Sequence, residues 1–121
     1  MTAPRRRDLP ALPEHPHTIH LIGICGTGMG ALAGMLSARG HEVRGSDAGA
    51  YPPMSTWLAE RGIDIMPGYN AEHLDWNPEL VIVGNVCRRD NPESVAAHER
   101  SIPAISLPEA LRVFFLTGRR P

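Results

Sequence analysis

The sequence predicts an α/β domain: an open, Rossmann-like parallel sheet of about five strands in the order 3-2-1-4-5, with helices on both faces. Three observations carry this expectation. Two continuous apolar runs, Ile19 to Ile24 and Leu80 to Gly84, suit strands buried on both sides. A glycine cluster follows the first run directly, and the apolar period then becomes that of a helix. Strand and helix signals alternate about five times, and each parallel return needs a right-handed crossover.

The elements follow in order. Residues 1–17 read as a flexible, proline-rich tail, because Pro10 and Pro13 interrupt the apolar run that a twin-arginine signal would need after its arginines. After the first strand, Met29, Leu32, Ala33 and Leu36 fall at i, i+3, i+4 and i+7, one face of a helix that Gly40 closes. His41 to Ser46 reads as the second strand. Pro52, Pro53 and Ser55 lead into a short helix through Trp57 and Leu58, ended by Gly62. Ile63 to Met66 alternates as a third strand, and Pro67-Gly68 turns the chain. After the fourth strand, Asn91-Pro92-Glu93 starts a helix: Asn caps, Pro presets φ, and Glu faces the positive end of the dipole. Ile102 to Ser106 is a short strand, and a last helix from Pro108 uses Leu111, Phe114 and Phe115. One domain is expected over residues 18–117, with 118–121 as a cut-off linker.

Composition narrows the function. With 121 residues, 42% hydrophobic and 21% charged, the chain has enough apolar surface for one soluble core and too little length for two. All 12 basic residues are arginine. The missing lysine excludes a P-loop ATPase and any Schiff-base chemistry within these residues. Two cysteines make neither a disulfide framework nor a four-ligand zinc site, so Cys25 and Cys87 are expected as packed thiols. A net charge of -1 gives no basic surplus for nucleic acid. Glycines interrupt the apolar stretch from Ile19 to Leu36, which excludes a membrane span. His15, His17 and His20 lie in the tail and a strand, so no metal is expected. The expected compartment is the cytoplasm.

The candidate site collects at one edge of the sheet. Gly26, Gly28 and Ala31 satisfy G-x-G-x-x-G/A between a strand and a helix. A side chain there would block the approach of a diphosphate to the backbone, and the helix N-terminus offers unpaired N–H groups. The alternative is a tight turn with close helix packing and no ligand. Asp47, 19 positions after Gly28, stands where a dinucleotide fold receives ribose hydroxyls, or else serves its own turn. On spacing alone, an NAD-binding domain of an oxidoreductase or sensor remains open. The fourth strand delivers Asn85, Arg88, Arg89 and Asn91 to the same crevice, with Asn91 also a helix cap. Trp57 and Trp76 read as packing residues, while Tyr69 could stack on a base.

The strings IHLIGICGTGMGALAGML, GSDAGAYPPMS, PGYNAEHL, GNVCRRDNPE and IPAISLPEAL together resemble the N-terminal domain of the Mur ligases over about residues 18–116. ICGTGMG, SDAGAYPPMS and GN…R…NPE point to the branch that joins UDP-N-acetylmuramate to a ready-made tripeptide in peptidoglycan recycling. The branch that adds L-alanine is the near alternative. The resemblance implies a domain that holds the UDP moiety, with the diphosphate on Gly26, Thr27, Gly28, Met29 and Gly30. It places Ser46 and Asp47 near the uridine, Tyr69 near the uracil, and Asn85, Arg88 and Asn91 in the fourth-strand loop. It further implies ATP and magnesium sites in other domains of a longer ligase, which activates the lactyl carboxylate as an acyl phosphate. The lysine-bearing ATP loop does not occur before Pro121, so no ligase activity is expected from these residues alone.

Overall fold

The computed structural model describes residues 16–84 and 90–117. The tail before Pro16, the loop with Asn85, Cys87, Arg88 and Arg89, and the expected linker at 118–121 lie outside the described residues.

Five parallel strands form one sheet: β1 (Thr18–Ile22), β2 (Glu42–Asp47), β3 (Asp64–Pro67), β4 (Leu80–Val83) and β5 (Ala104–Ser106). Their order is β3-β2-β1-β4-β5, as the alternating grammar requires. β1 is central, with Ile19 opposite Val43 on one side and Leu80 on the other. Strand alternation sends Ile19, Leu21, Val43, Leu80 and Ile82 to one face. There they meet α1 (Thr27–Ala38), α2 (Met54–Glu60) and α4 (Leu107–Leu111) through Leu32, Leu36, Leu58 and Ala110. Ile22 and Val81 face the other way, against α3 (Pro92–Glu99) and a 3-10 turn at Ala71–Leu74. Helices therefore cover both faces, which is why the central strands tolerate near-continuous apolar sequence.

Glycines on α1 set how closely the helices pack. A Cβ at Gly30 would strike the Met54 thioether, and one at Gly34 would strike the Trp57 indole. Three helices end alike. In α1, Gly40 (φ 97°) donates to Ser37 O and His41 to Leu36 O. In α2, Gly62 (φ 75°) and Ile63 repeat the pattern onto Ala59 and Leu58. Both are Schellman closures, where glycine takes the left-handed conformation at least cost. In α3 the same position is Ser101, at φ 58°.

Several boundaries differ from the sequence reading. The chain is tied to the sheet before Thr18: His41 Nδ1 donates to Pro16 O at 2.6 Å, and Glu42 N to His17 O at 2.6 Å. Pro16 and His17 thus belong to the fold, not to the tail. The last helix keeps α geometry only to Leu111 and continues as a π-helical stretch, Arg112–Thr117. The 3-10 turn was not expected at all. Asn70 creates it by accepting the Glu72 N–H at 2.8 Å, a local cap without apolar periodicity to announce it.

Candidate functional site

β1 feeds α1 on one face of the sheet, while β4 feeds α3 on the other. Their C-terminal ends diverge into a crevice, the place where open α/β sheets bind ligands. The loop between β1 and α1 is built by accounting for its N–H groups. Gly23 (φ 83°) and Ile24 both donate to Ser46 O, at 2.7 and 3.1 Å. Cys25 N donates to Asp47 Oδ2 at 2.9 Å, and Gly26 N to Gly23 O at 3.1 Å. Intrahelical bonding starts with Gly30 N, which donates to Gly26 O at 2.7 Å. Among the described residues, the N–H groups of Thr27, Gly28 and Met29 have no acceptor.

No side chain caps α1, and its first turn carries no acidic residue. The contrast with α3 and α4 is direct. Asn91 and Ser106 cap those helices, with Glu93 and Glu109 in their first turns. The α1 terminus consequently keeps its partial positive charge and three inward donors for an anion.

Glycine serves packing as well as access here. A Cβ on Gly28 would lie 3.1 Å from the Leu107 side chain. One on Gly84, at the end of β4, would lie 3.1 Å from Ile22 O and 3.4 Å from Met29 Cγ. The loop, α4 and the end of β4 are thus pressed together. Met29 itself is buried, so only its backbone faces the crevice.

Asp47 ends β2 as a clip. Besides holding Cys25 N, it accepts Gly49 N through Oδ1 at 2.7 Å. Burial, and then the Asp47 carboxylate beside it, pushes the Cys25 thiol above its ordinary range, so this cysteine is a protonated packing residue at neutral pH. Next to the clip, the Tyr51 ring rests against Gly49 and is 71% exposed. Sequence reasoning passed over Tyr51; the signal was an aromatic residue among the turn residues of DAGAYPP. A cleft of ≈ 320 Å³ opens nearby, lined by Thr27, Ala31, Pro53, Met54 and Trp57.

The other expected site residues divide. Ser46 has no surface to offer a ligand: its hydroxyl is buried, 3.2 Å from His20 Nε2 and 3.1 Å from His73 Nδ1. Its contribution to the loop is the carbonyl already described. Tyr69 packs, half-buried, against the core on the α3 side. Asn91 accepts Glu93 N at 2.8 Å as the cap of α3 and is nearly buried. Asn85 and Arg88 lie outside the described residues. Trp57 and Trp76 do pack, each beneath an arginine: Arg61 stands 3.7 Å from the Trp57 ring and Arg44 4.4 Å from the Trp76 ring. Among the described residues, no group of three or more His, Cys, Asp or Glu side chains is placed to hold a metal ion, and no helix is long and apolar enough to cross a membrane.

Known proteins share this architecture. The UDP-N-acetylmuramate–L-alanyl-γ-D-glutamyl-meso-2,6-diaminoheptandioate ligase of Escherichia coli (strain K12) is 50% identical over 101 residues, covering 84% of this chain and 22% of the ligase. The UDP-N-acetylmuramate–L-alanine ligase of Saccharopolyspora erythraea is 42% identical over 119 residues, covering 96% of this chain and 24% of that protein. Among solved structures, a murein peptide ligase from Psychrobacter arcticus 273-4 superposes with a TM-score of 0.78 at 44% identity, over 84% of this chain and 21% of that one. This chain thus spans about a fifth to a quarter of the length of these relatives. The family model described as "Mur ligase family, catalytic domain" matches residues 18–118. That span opens on the first residue of β1 and takes in every strand and helix described above, and the chain belongs to the Mur ligase family.

Proposed function

We propose that this chain holds the UDP moiety of UDP-N-acetylmuramate, as the N-terminal part of an ATP-dependent ligase that attaches a peptide to that sugar nucleotide in peptidoglycan recycling. The observation that carries the reading is the open α1 terminus. Thr27, Gly28 and Met29 present three N–H donors with no side-chain cap and no acidic residue in the helix's own first turn, an arrangement that favours a diphosphate. Asn85 and Arg88, on the fourth-strand side, are the candidates for further contacts to the nucleotide, while the Asn91 side chain serves as the α3 cap. In the longer ligase, other domains would supply ATP, Mg²⁺ and the peptide amine, and the enzyme would act in the cytoplasm. The match to the tripeptide-adding relative at 50% identity, against 42% for the L-alanine-adding one, supports the recycling branch.

The glycine loop alone would accept any diphosphate, so NAD is the competing ligand. Thermal unfolding with UDP-N-acetylmuramate, UDP-N-acetylglucosamine and NADH separates the two. Ligand at a hundredfold its Kd adds about 2.7 kcal/mol, a rise in Tm of about 10 °C. A rise with the uridine nucleotides alone is expected. A rise with NADH alone would replace the proposal with a dinucleotide-binding role.

A further inference from the structure

On the α3 side of the sheet, four segments converge on one buried carboxylate. Glu93, in the first turn of α3, is fully buried. Its Oε1 accepts from His20 Nε2 on β1 at 2.7 Å. Its Oε2 accepts from His73 Nδ1 at 2.6 Å and from the Asn70 backbone N–H at 3.1 Å. The Ser46 hydroxyl on β2 lies 3.2 Å from His20 Nε2 and 3.1 Å from His73 Nδ1, joining both histidines beside the carboxylate. The Trp76 indole can only donate, and it donates to His20 Nδ1 at 3.2 Å. Nε2 is therefore the His20 ring nitrogen that donates to Glu93. Burial by itself would push the Glu93 carboxyl up. The hydrogen bonds from His20, Ser46 and His73 outweigh that and hold it below its ordinary range, so it is a carboxylate at neutral pH.

A buried carboxylate is costly, and an apolar side chain would fill the same volume more cheaply. What an apolar side chain could not do is hold the Asn70 N–H. That N–H belongs to the peptide plane joining Tyr69 to Asn70, and fixing it fixes the start of the β3–β4 connection. Gly68 N anchors the same turn to Asp47 O at 3.0 Å. Tyr69 is therefore suspended between the Asp47 clip on one side and Glu93 on the other. Asn91, two residues before Glu93, closes the same helix end. One buried charge thus ties together the segments that border the nucleotide crevice at β2, β3 and α3.

We propose that Glu93 is a positioning residue for nucleotide recognition, setting the Tyr69–Asn70 segment so that the crevice distinguishes a uridine nucleotide from a bare diphosphate. The inference rests on the UDP-binding reading and deepens it: Glu93 touches no ligand and acts through Asn70 and His73. The glycine loop, on its own hydrogen bonds, does not depend on Glu93.

The test compares UDP with inorganic pyrophosphate by titration calorimetry on the full chain and on Glu93→Gln. Glutamine keeps the shape, but its single carbonyl oxygen cannot accept from His20 on one side and from His73 Nδ1–H and Asn70 N–H on the other, so one set of donors is left facing the amide NH2. UDP affinity is expected to fall about tenfold in Glu93→Gln, with pyrophosphate affinity within twofold of the unsubstituted chain. His73→Ala, at a partly exposed position of the cluster, keeps the test independent of folding in the first variant and should lower the same ratio less. Equal losses for both ligands, or an unchanged UDP affinity, would overturn the inference while leaving the UDP-binding reading in place. No UDP binding by the unsubstituted chain would overturn that reading, and this inference with it.

Discussion

The Asp47 carboxylate accepts the Cys25 N–H at 2.9 Å through Oδ2 and the Gly49 N–H at 2.7 Å through Oδ1. Both oxygens are thus engaged in shaping backbone, one on the glycine loop and one on the turn after β2. Replacing Asp47 with Ala leaves two donors without their charged acceptor, a loss of about 1–3 kcal/mol. The loop that presents the α1 donors loses its brace at the same time. The expected outcome is a comparable drop, about tenfold, for UDP-N-acetylmuramate and for pyrophosphate in calorimetric titration. A loss confined to the uridine nucleotide would make Asp47 a ribose contact instead.

Tyr51, in the turn after β2, and Tyr69, packed on the α3 side, should respond differently to truncation. Tyr51 is 71% exposed and supports nothing in the core. Tyr51→Ala should leave Tm within about 2 °C of the parent. If its ring receives the base, UDP affinity falls about tenfold, the scale of base–aromatic stacking. Tyr69→Ala, which removes a ring packed against the buried cluster on the α3 side of the sheet, should lower Tm clearly. Chemical denaturation and ligand titration on the two variants read both effects.

Ser101 occupies the left-handed closing position of α3, at φ 58°. Its N–H still reaches His98 O at 3.2 Å, and Ile102 N reaches Ala97 O at 2.9 Å, as in the glycine-closed helices. An L side chain in that conformation costs about 1–2 kcal/mol, and glycine does not incur it. Ser101→Gly should therefore stabilise the domain by about 1 kcal/mol, a rise of roughly 4 °C in Tm. A lower Tm would show that the unfolded-chain entropy of the new glycine dominates.

Acid sensitivity follows from Glu93. Its carboxyl lies below the ordinary value of 4.5 in the folded chain. Such a group contributes stability that is fully present above the unfolded-state value and is lost as pH falls through the folded one. His20, His73, Ser46 and the Asn70 N–H face it, and all of them serve the carboxylate form. The Tm of the parent should fall as pH drops below about 4.5. In Glu93→Gln that acid limb should flatten, because the substituted side chain has no proton to take up. Melting curves between neutral pH and the acid limit compare the two slopes, and parallel slopes would assign the acid loss to other carboxylates.

Much of the fold is legible in the sequence for a physical reason. β1 and β4 are buried on both faces, so their apolar runs carry no ambiguity about which side is wet. Gly40 and Gly62 mark helix ends because the left-handed closure favours glycine. The glycine loop was legible because its residues are contiguous. The Glu93 cluster was not: His20, Ser46, His73 and Glu93 come from four segments and meet only after the sheet has assembled. His20 was the available signal, a polar residue inside an apolar strand that requires a buried partner. Glu93 itself reads as an ordinary acidic residue in a helix first turn. Sequence position points Ser46 and Asn91 at the crevice, whereas burial gives both side chains partners within the protein.

The central place of β1 has a consequence for synthesis. Ile19 leaves the ribosome about 60 residues ahead of its partner Leu80. At about 5–20 residues per second, one edge of the innermost strand stays unpaired for about 3–12 s. β1 can meet β2 first and must wait for β4, so the apolar run Ile19–Ile22 is the segment most in need of shielding in the nascent chain. Chaperone occupancy of stalled nascent chains should therefore end only when the codons for β4 have cleared the exit tunnel.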